Sequence, residues 1–144
     1  MTEGREDGFE NRRQIGENEH KMVKSFLDLD VYQESLSLAT EIHFLSKTLP
    51  KREEYLLAEQ CLRASRGIPS LIAESWAKRR QVVQFKKYLR DSIGECNEMM
   101  NHIKQAELFG YIDATKAKGL IERYDALASR ICKLKDTWRT FPTT

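Results

Sequence analysis

Apolar residues recur every three or four positions through two long, proline-free segments of the chain. Val82, Phe85, Leu89, Ser92, Cys96, Met99, Ile103 and Ala106 form one series, with Ser92 its polar exception; Ala117, Leu120, Tyr124, Leu127, Ile131, Leu134 and Trp138 form the other. At 3.6 residues per turn this spacing lays a single apolar seam along an α-helix. A seam of that length must bury against other helices, so the pattern predicts a bundle. An earlier helix starts near Asp28 or Asp30, turns Val31, Leu38, Ile42, Leu45 and Leu49 inward, and stops at Pro50. The next runs from Lys51 or Glu53 toward Lys78, with Leu57, Cys61, Ala64, Ile68 and Leu71 on its inner face. Pro69 falls in its middle and has no amide to donate to the carbonyl of Ser65, so this helix either bends or breaks there. Gly110 suits the left-handed position beyond the third helix, and Asp113 is placed to cap the fourth, which continues to about Thr140.

Short connections favour antiparallel neighbours, so the expected fold is an all-α, up-down-up-down four-helix bundle whose second helix is kinked at a proline. Residues 1–25 lack this periodicity and mix three glycines with charged and amide side chains. They read as a flexible tail before a bundle spanning 26–144.

With 144 residues, the chain can bury a core without disulfides or a metal. No apolar run approaches the roughly 20 residues needed to span a bilayer, and no membrane partner is expected. The opening residues lack the apolar core of a secretory signal, which points to the cytoplasm. Cys61, Cys96 and Cys132 are odd in number, widely spaced and without a Cys-x-x-Cys pair. They read as small buried hydrophobes rather than a redox or metal centre.

The near-neutral net charge hides a strong division along the chain. Residues 62–90 carry Arg63, Arg66, Lys78, Arg79, Arg80, Lys86, Lys87 and Arg90 against Glu74 alone, a net of +7, whereas residues 28–59 carry seven acids and three bases, a net of −4. The eight cations fall on outward faces of the second and third helices and on the connection between them, where they can form one stripe. A stripe of that kind neutralises phosphates and releases their counterions, and Trp76 and Tyr88 lie among the cations, where rings can stack on bases. The alternative is a solvated face whose cations pair with the acidic first helix or with a neighbouring subunit.

Catalytic chemistry finds no comparable support. His20, His43 and His102 are scattered, and Glu17 with His20 supplies one Glu-x-x-His where a bundle di-iron site needs two plus further carboxylates. There is no nucleophile elbow, phosphate-binding glycine loop or His-Glu-x-x-His. The reading is a non-enzymatic protein without cofactor or metal. Apolar residues beyond one seam per helix, among them Ile93, Met100, Ile121, Phe44 and Phe109, exceed what a single core needs, and self-association is expected.

From Phe26 onward the chain resembles the bacterial four-helix-bundle family encoded within intervening sequences of 23S ribosomal RNA genes. The resemblance lies in Asp28-Leu29 and Val31-Tyr32-Gln33, in Gln60 to Ala64 leading into Ile68-Pro69-Ser70 and Ile72-Ala73-Glu74, and in the Leu108 to Ile112 turn. Leu56, Leu71 and Ser75 depart from the family pattern. The likeness implies an antiparallel bundle assembled as a homopentamer. It also brings in a related group, the accessory variability proteins of diversity-generating retroelements, whose basic pentamers bind nucleic acid and a reverse transcriptase. For this chain that implies RNA or DNA and a reverse transcriptase or other nucleic-acid enzyme as partners. The competing expectation is an assembly scaffold that binds protein only.

Overall fold

Four helices are laid down by the seams: α1 (Asp30–Ser46), α2 (Leu57–Ala77), α3 (Val82–Leu108) and α4 (Ala114–Thr137). The computed structural model of the protein describes residues 23–138; most of the expected tail, with Glu17 and His20, and residues 139–144 lie outside that range. Among the described residues there is no strand, and no helix is long and apolar enough to cross a membrane.

The two long seams are buried almost as spaced. Phe85, Leu89, Ser92, Cys96, Met99, Ile103 and Ala106 of α3 and Ala117, Leu120, Tyr124, Leu127, Ile131 and Leu134 of α4 are all in the core, with Trp138 half-buried at its edge. Serine fits these seams because its hydroxyl donates back to the helix: Ser92 Oγ to the Leu89 carbonyl at 2.7 Å and Ser75 Oγ to that of Ile72 at 2.7 Å. Asp113 caps α4 by accepting from the Lys116 amide at 2.7 Å, and Gly110 ends α3 with φ of 85°.

The start of α1 is built differently from the expectation. Asp28 closes a short 3-10 turn, Phe26–Asp28, by accepting from the Lys24 amide at 2.8 Å, while Ser25 Oγ accepts from the Leu27 amide at 3.1 Å. Asp30 opens α1 behind Leu29, which offers no side-chain cap. A second 3-10 turn occupies Lys51–Glu53, so α2 begins only at Leu57.

From Leu57 to Ala77, α2 is one unbroken helix, and Pro69 is buried within it. Ile72, not Leu71, takes the core position after Ile68. A step of four residues rotates about 40° around the axis and a step of three about 60° the other way, and α2 turns the first of these sides to its neighbours.

α2 packs between α1 and α3, and α4 packs on α3 with a thinner contact to α1. Polar pairs close that thinner seam. Arg123 reaches Glu34 at 3.2 Å and also binds Glu41, while Arg130 reaches Asp30 at 2.6 Å. As residue numbers rise along α4 in these pairs, they fall along α1. Likewise Arg63 of α2 meets Glu98 of α3 at 3.7 Å, while Gly67, one turn further along α2, faces Glu95, one turn earlier on α3.

Candidate nucleic-acid interface

The end of the bundle where α2 passes into α3 is held together by aromatic rings. Trp138, just beyond α4, packs against Phe85 with centroids 4.8 Å apart and meets Trp76 edge to face at 6.0 Å. Its indole Nε1 donates to the Arg79 carbonyl at 3.0 Å, while Arg79 Nη1 donates to the Trp76 carbonyl at 2.9 Å and its guanidinium lies 4.3 Å from the Trp76 ring centre. Burial and the nearby Arg80 charge both lower the Arg79 pKa from its usual range. Arg79 is thus a structural member of this end as well as one of its cations.

Around this anchor the structure gathers six of the eight sequence-predicted cations: Lys78, Arg79 and Arg80 on the connection, and Lys86, Lys87 and Arg90 on the first two and a half turns of α3. Arg80, Lys87 and Arg90 are exposed, and Lys78, Arg79 and Lys86 are half-buried. Lys87 reaches Asp91 at 3.0 Å, an exposed pair of small energetic consequence. Lys78, Arg80, Lys86 and Arg90 form no ion pair with a described residue. The first turn of α3 contains no acid, and Gln81 does not cap it with its side chain, so the positive end of the helix dipole adds to the same potential.

Arg63 and Arg66 do not join this group. Arg66 lies eleven residues, about 16 Å, along α2 from Ala77, and Arg63 about 21 Å. They also diverge, Arg63 toward Glu98 of α3 and Arg66 toward His43 Nδ1 of α1 at 3.4 Å. The single stripe expected from sequence is therefore a compact cationic end plus two separate arginines. What sequence reasoning missed is α4's share: the Asp136 carboxyl pKa is lowered first by a hydrogen bond from Lys135 and also by the charge of Lys86. Only the tertiary structure reveals this, because Lys86 and Asp136 lie fifty residues apart in sequence.

The acids of the first helix are already taken. Asp30, Glu34 and Glu41 pair with Arg130 and Arg123 of α4, not with any of the eight cations. Of the alternatives left open by the sequence, pairing of the cationic end with α1 is not what these residues do.

Two apolar patches lie elsewhere. One is a shallow groove of about 320 Å³ between α1 and α2, lined by Tyr32, Leu36, Pro69 and Ser70 among others, with Arg66 at its edge. The second is at the far end, where Phe44, Tyr55, Leu56, Leu108 and Phe109 are each more than half exposed. There Tyr111 Oη donates to Glu53 at 2.6 Å and ties the two turns together. Cys61 and Cys96 are buried, their thiol pKa values pushed up to about 11 and about 12 by desolvation, and Cys132 is half-buried. Among the described residues no group of three or more His, Cys, Asp or Glu side chains can hold a metal.

Taken together, these features define an all-α four-helix bundle protein with one cationic end. The model of the 23S rRNA-intervening sequence protein family matches residues 27–133, and the chain belongs to that family. Among solved structures it is similar to a protein of unknown function from the S23 ribosomal protein family of Bacteroides thetaiotaomicron VPI-5482, with a TM-score of 0.64 and 20% identity over 74% of this chain and 96% of that one. At that identity the likeness speaks for the fold alone. Comparison with curated proteins gave no match.

Proposed function

We propose that the protein is a non-enzymatic, homo-oligomeric accessory protein of the cytoplasm that presents the cationic end of its bundle to RNA or DNA, beside a nucleic-acid-handling enzyme such as a reverse transcriptase. The observation that carries this reading is the division of charge. Asp30, Glu34 and Glu41 of α1 pair with Arg130 and Arg123, whereas Lys78, Arg80, Lys86 and Arg90 form no ion pair with a described residue, although the Lys86 charge acts on the Asp136 carboxylate. Unneutralised cations held at one end are costly to a fold through mutual repulsion and useful to a phosphate binder. Self-association draws support from the two apolar patches. They differ from each other and lie at different places on the molecule, and a cyclic ring requires one face to meet a different face of the next subunit. The number five comes from the family resemblance.

The test is fluorescence anisotropy of labelled RNA and DNA with the purified protein at 50 and 200 mM salt, with mass from light scattering on the same sample. Five phosphate contacts, from Lys78, Arg80, Lys86, Lys87 and Arg90, give a log–log salt slope of about −4 to −5, a loss of two to three decades between about 50 and 200 mM. The variant Arg80→Glu, Lys86→Glu, Lys87→Glu, Arg90→Glu spares Arg79, which is packed on Trp76, and should abolish binding with helicity and mass unchanged. A fall in mass instead would assign these cations to subunit contacts and favour the protein-only scaffold.

A further inference from the structure

Among the described residues, Trp76, Phe85, Tyr88 and Trp138 at the cationic end each contact another group. Trp76 has the Arg79 guanidinium over its ring at 4.3 Å and the edge-to-face contact with Trp138, and the remainder of its side chain packs on the core. Trp138 is packed on Phe85, which is itself buried. Tyr88 has the Lys87 ammonium 5.4 Å from its ring centre. The connection carrying Lys78, Arg79 and Arg80 is also fixed from two directions, by Trp138 Nε1 on the Arg79 carbonyl and by Arg79 Nη1 on that of Trp76. The backbone carrying Lys78, Arg79 and Arg80 is thus held in place, and Trp76 and Trp138 pack on each other.

We infer that this end grips the phosphate backbone of a double helix rather than the bases of a single strand, an inference that rests on the nucleic-acid reading above. Proteins that hold single strands draw on base–aromatic stacking, a gain of roughly tenfold or more for each stacked base, and here Trp76 and Trp138 are committed to each other. A duplex asks for something else, cations carried on a fixed backbone and set against phosphates that are themselves held at regular spacing, with little loop ordering on contact. The run from Arg80 to Arg90 extends about 15 Å if taken at helical rise throughout. Over that distance one strand of a duplex presents about four phosphates, at roughly 3.4 Å of axis each, against the four cations Arg80, Lys86, Lys87 and Arg90. Duplex RNA and duplex DNA share this chemistry, so the probes must include both.

The experiment is anisotropy with four labelled probes of about 20 nucleotides per strand, duplex DNA, duplex RNA and one single strand of each, using the full chain and Tyr88→Leu at about 50 and 200 mM salt. The expected result is that at least one duplex binds about tenfold or more tighter than its single strand, with Tyr88→Leu changing each affinity by less than about twofold. Which duplex binds identifies the source of the phosphates. Single strands that bind as tightly as the duplexes, or a loss of more than about fivefold on single strands in Tyr88→Leu, would overturn the inference and leave the nucleic-acid reading standing. If none of the four probes binds at low salt, that reading falls as well.

Discussion

Tyr124 is fully buried in the α4 seam, and its hydroxyl has no hydrogen-bond partner. Desolvation raises its pKa, with the Cys96 and Cys61 thiols near enough to add to the shift, so the group is neutral at neutral pH. An unpaired hydroxyl taken out of water costs about 1–3 kcal/mol. Tyr124→Phe keeps the ring and removes that cost. The space vacated by one oxygen is smaller than a methyl group, whose void costs about 1 kcal/mol, so it offsets only part of the gain. The expected outcome is a more stable protein by about 1 kcal/mol, a rise of roughly 3 °C in Tm for a chain of this size. Urea denaturation followed by circular dichroism measures it, at one fixed protein concentration because self-association would add stability by mass action. A midpoint that is unchanged or lower, with the denaturant slope unaltered, would refute the reasoning. The hydroxyl would then be receiving or donating a hydrogen bond, most simply with one of the two thiols, and the core would be specified by a polar contact rather than merely tolerating a polar atom.

Further outcomes follow from the same core. Leu127 is fully buried at the middle of α4, and Leu127→Ala should cost about 2–5 kcal/mol in the same denaturation assay; a loss below about 1 kcal/mol would mean that the seam is not packed there. His102 is buried on α3 with neither ring nitrogen bonded, and burial lowers its pKa below 6.5, opposed by the Glu98 charge and reinforced by that of Arg63. The unfolded chain then takes up a proton that the folded chain resists, so this contribution to stability is present above pH 6.5 and is lost as pH falls through that value. His102→Leu should therefore lose less stability than the parent between pH 7 and pH 5, and parallel curves for the two proteins would show that His102 titrates normally.

How far the fold was legible depends on the element. The seams of α3 and α4 were read correctly because each presents one face to its neighbours, and the cap at Asp113 and the stop at Gly110 are local signals that need no partner. α1 starts at Asp30, one of the two positions expected, whereas α2 starts later than expected because a short 3-10 turn takes Lys51–Glu53 first. Leu71 and Ile72 are equally apolar, and only the direction of α2's neighbours decides between them. In the candidate interface, Lys78, Arg79, Arg80, Lys86, Lys87 and Arg90 lie along the α2–α3 connection and the start of α3, whereas Arg63 and Arg66, of the same charge, lie further back along α2 and reach toward Glu98 and His43.

The sequence by itself determined that this is a four-helix protein with a proline inside its second helix and a strong separation of charge, because periodicity, capping and composition act over one or two helical turns. Tertiary structure alone decided which charges are spent. Arg123 and Arg130 reach Glu34, Glu41 and Asp30 across more than eighty residues of chain. Trp138 reaches Arg79 across 59. Those partnerships remove the acids of α1 from competition for the cationic end and turn Trp76 from a candidate base-stacker into part of its anchor, together with Trp138. The physical reason is that ion pairs and ring contacts depend on distances of a few ångströms, and those are set by how whole helices pack.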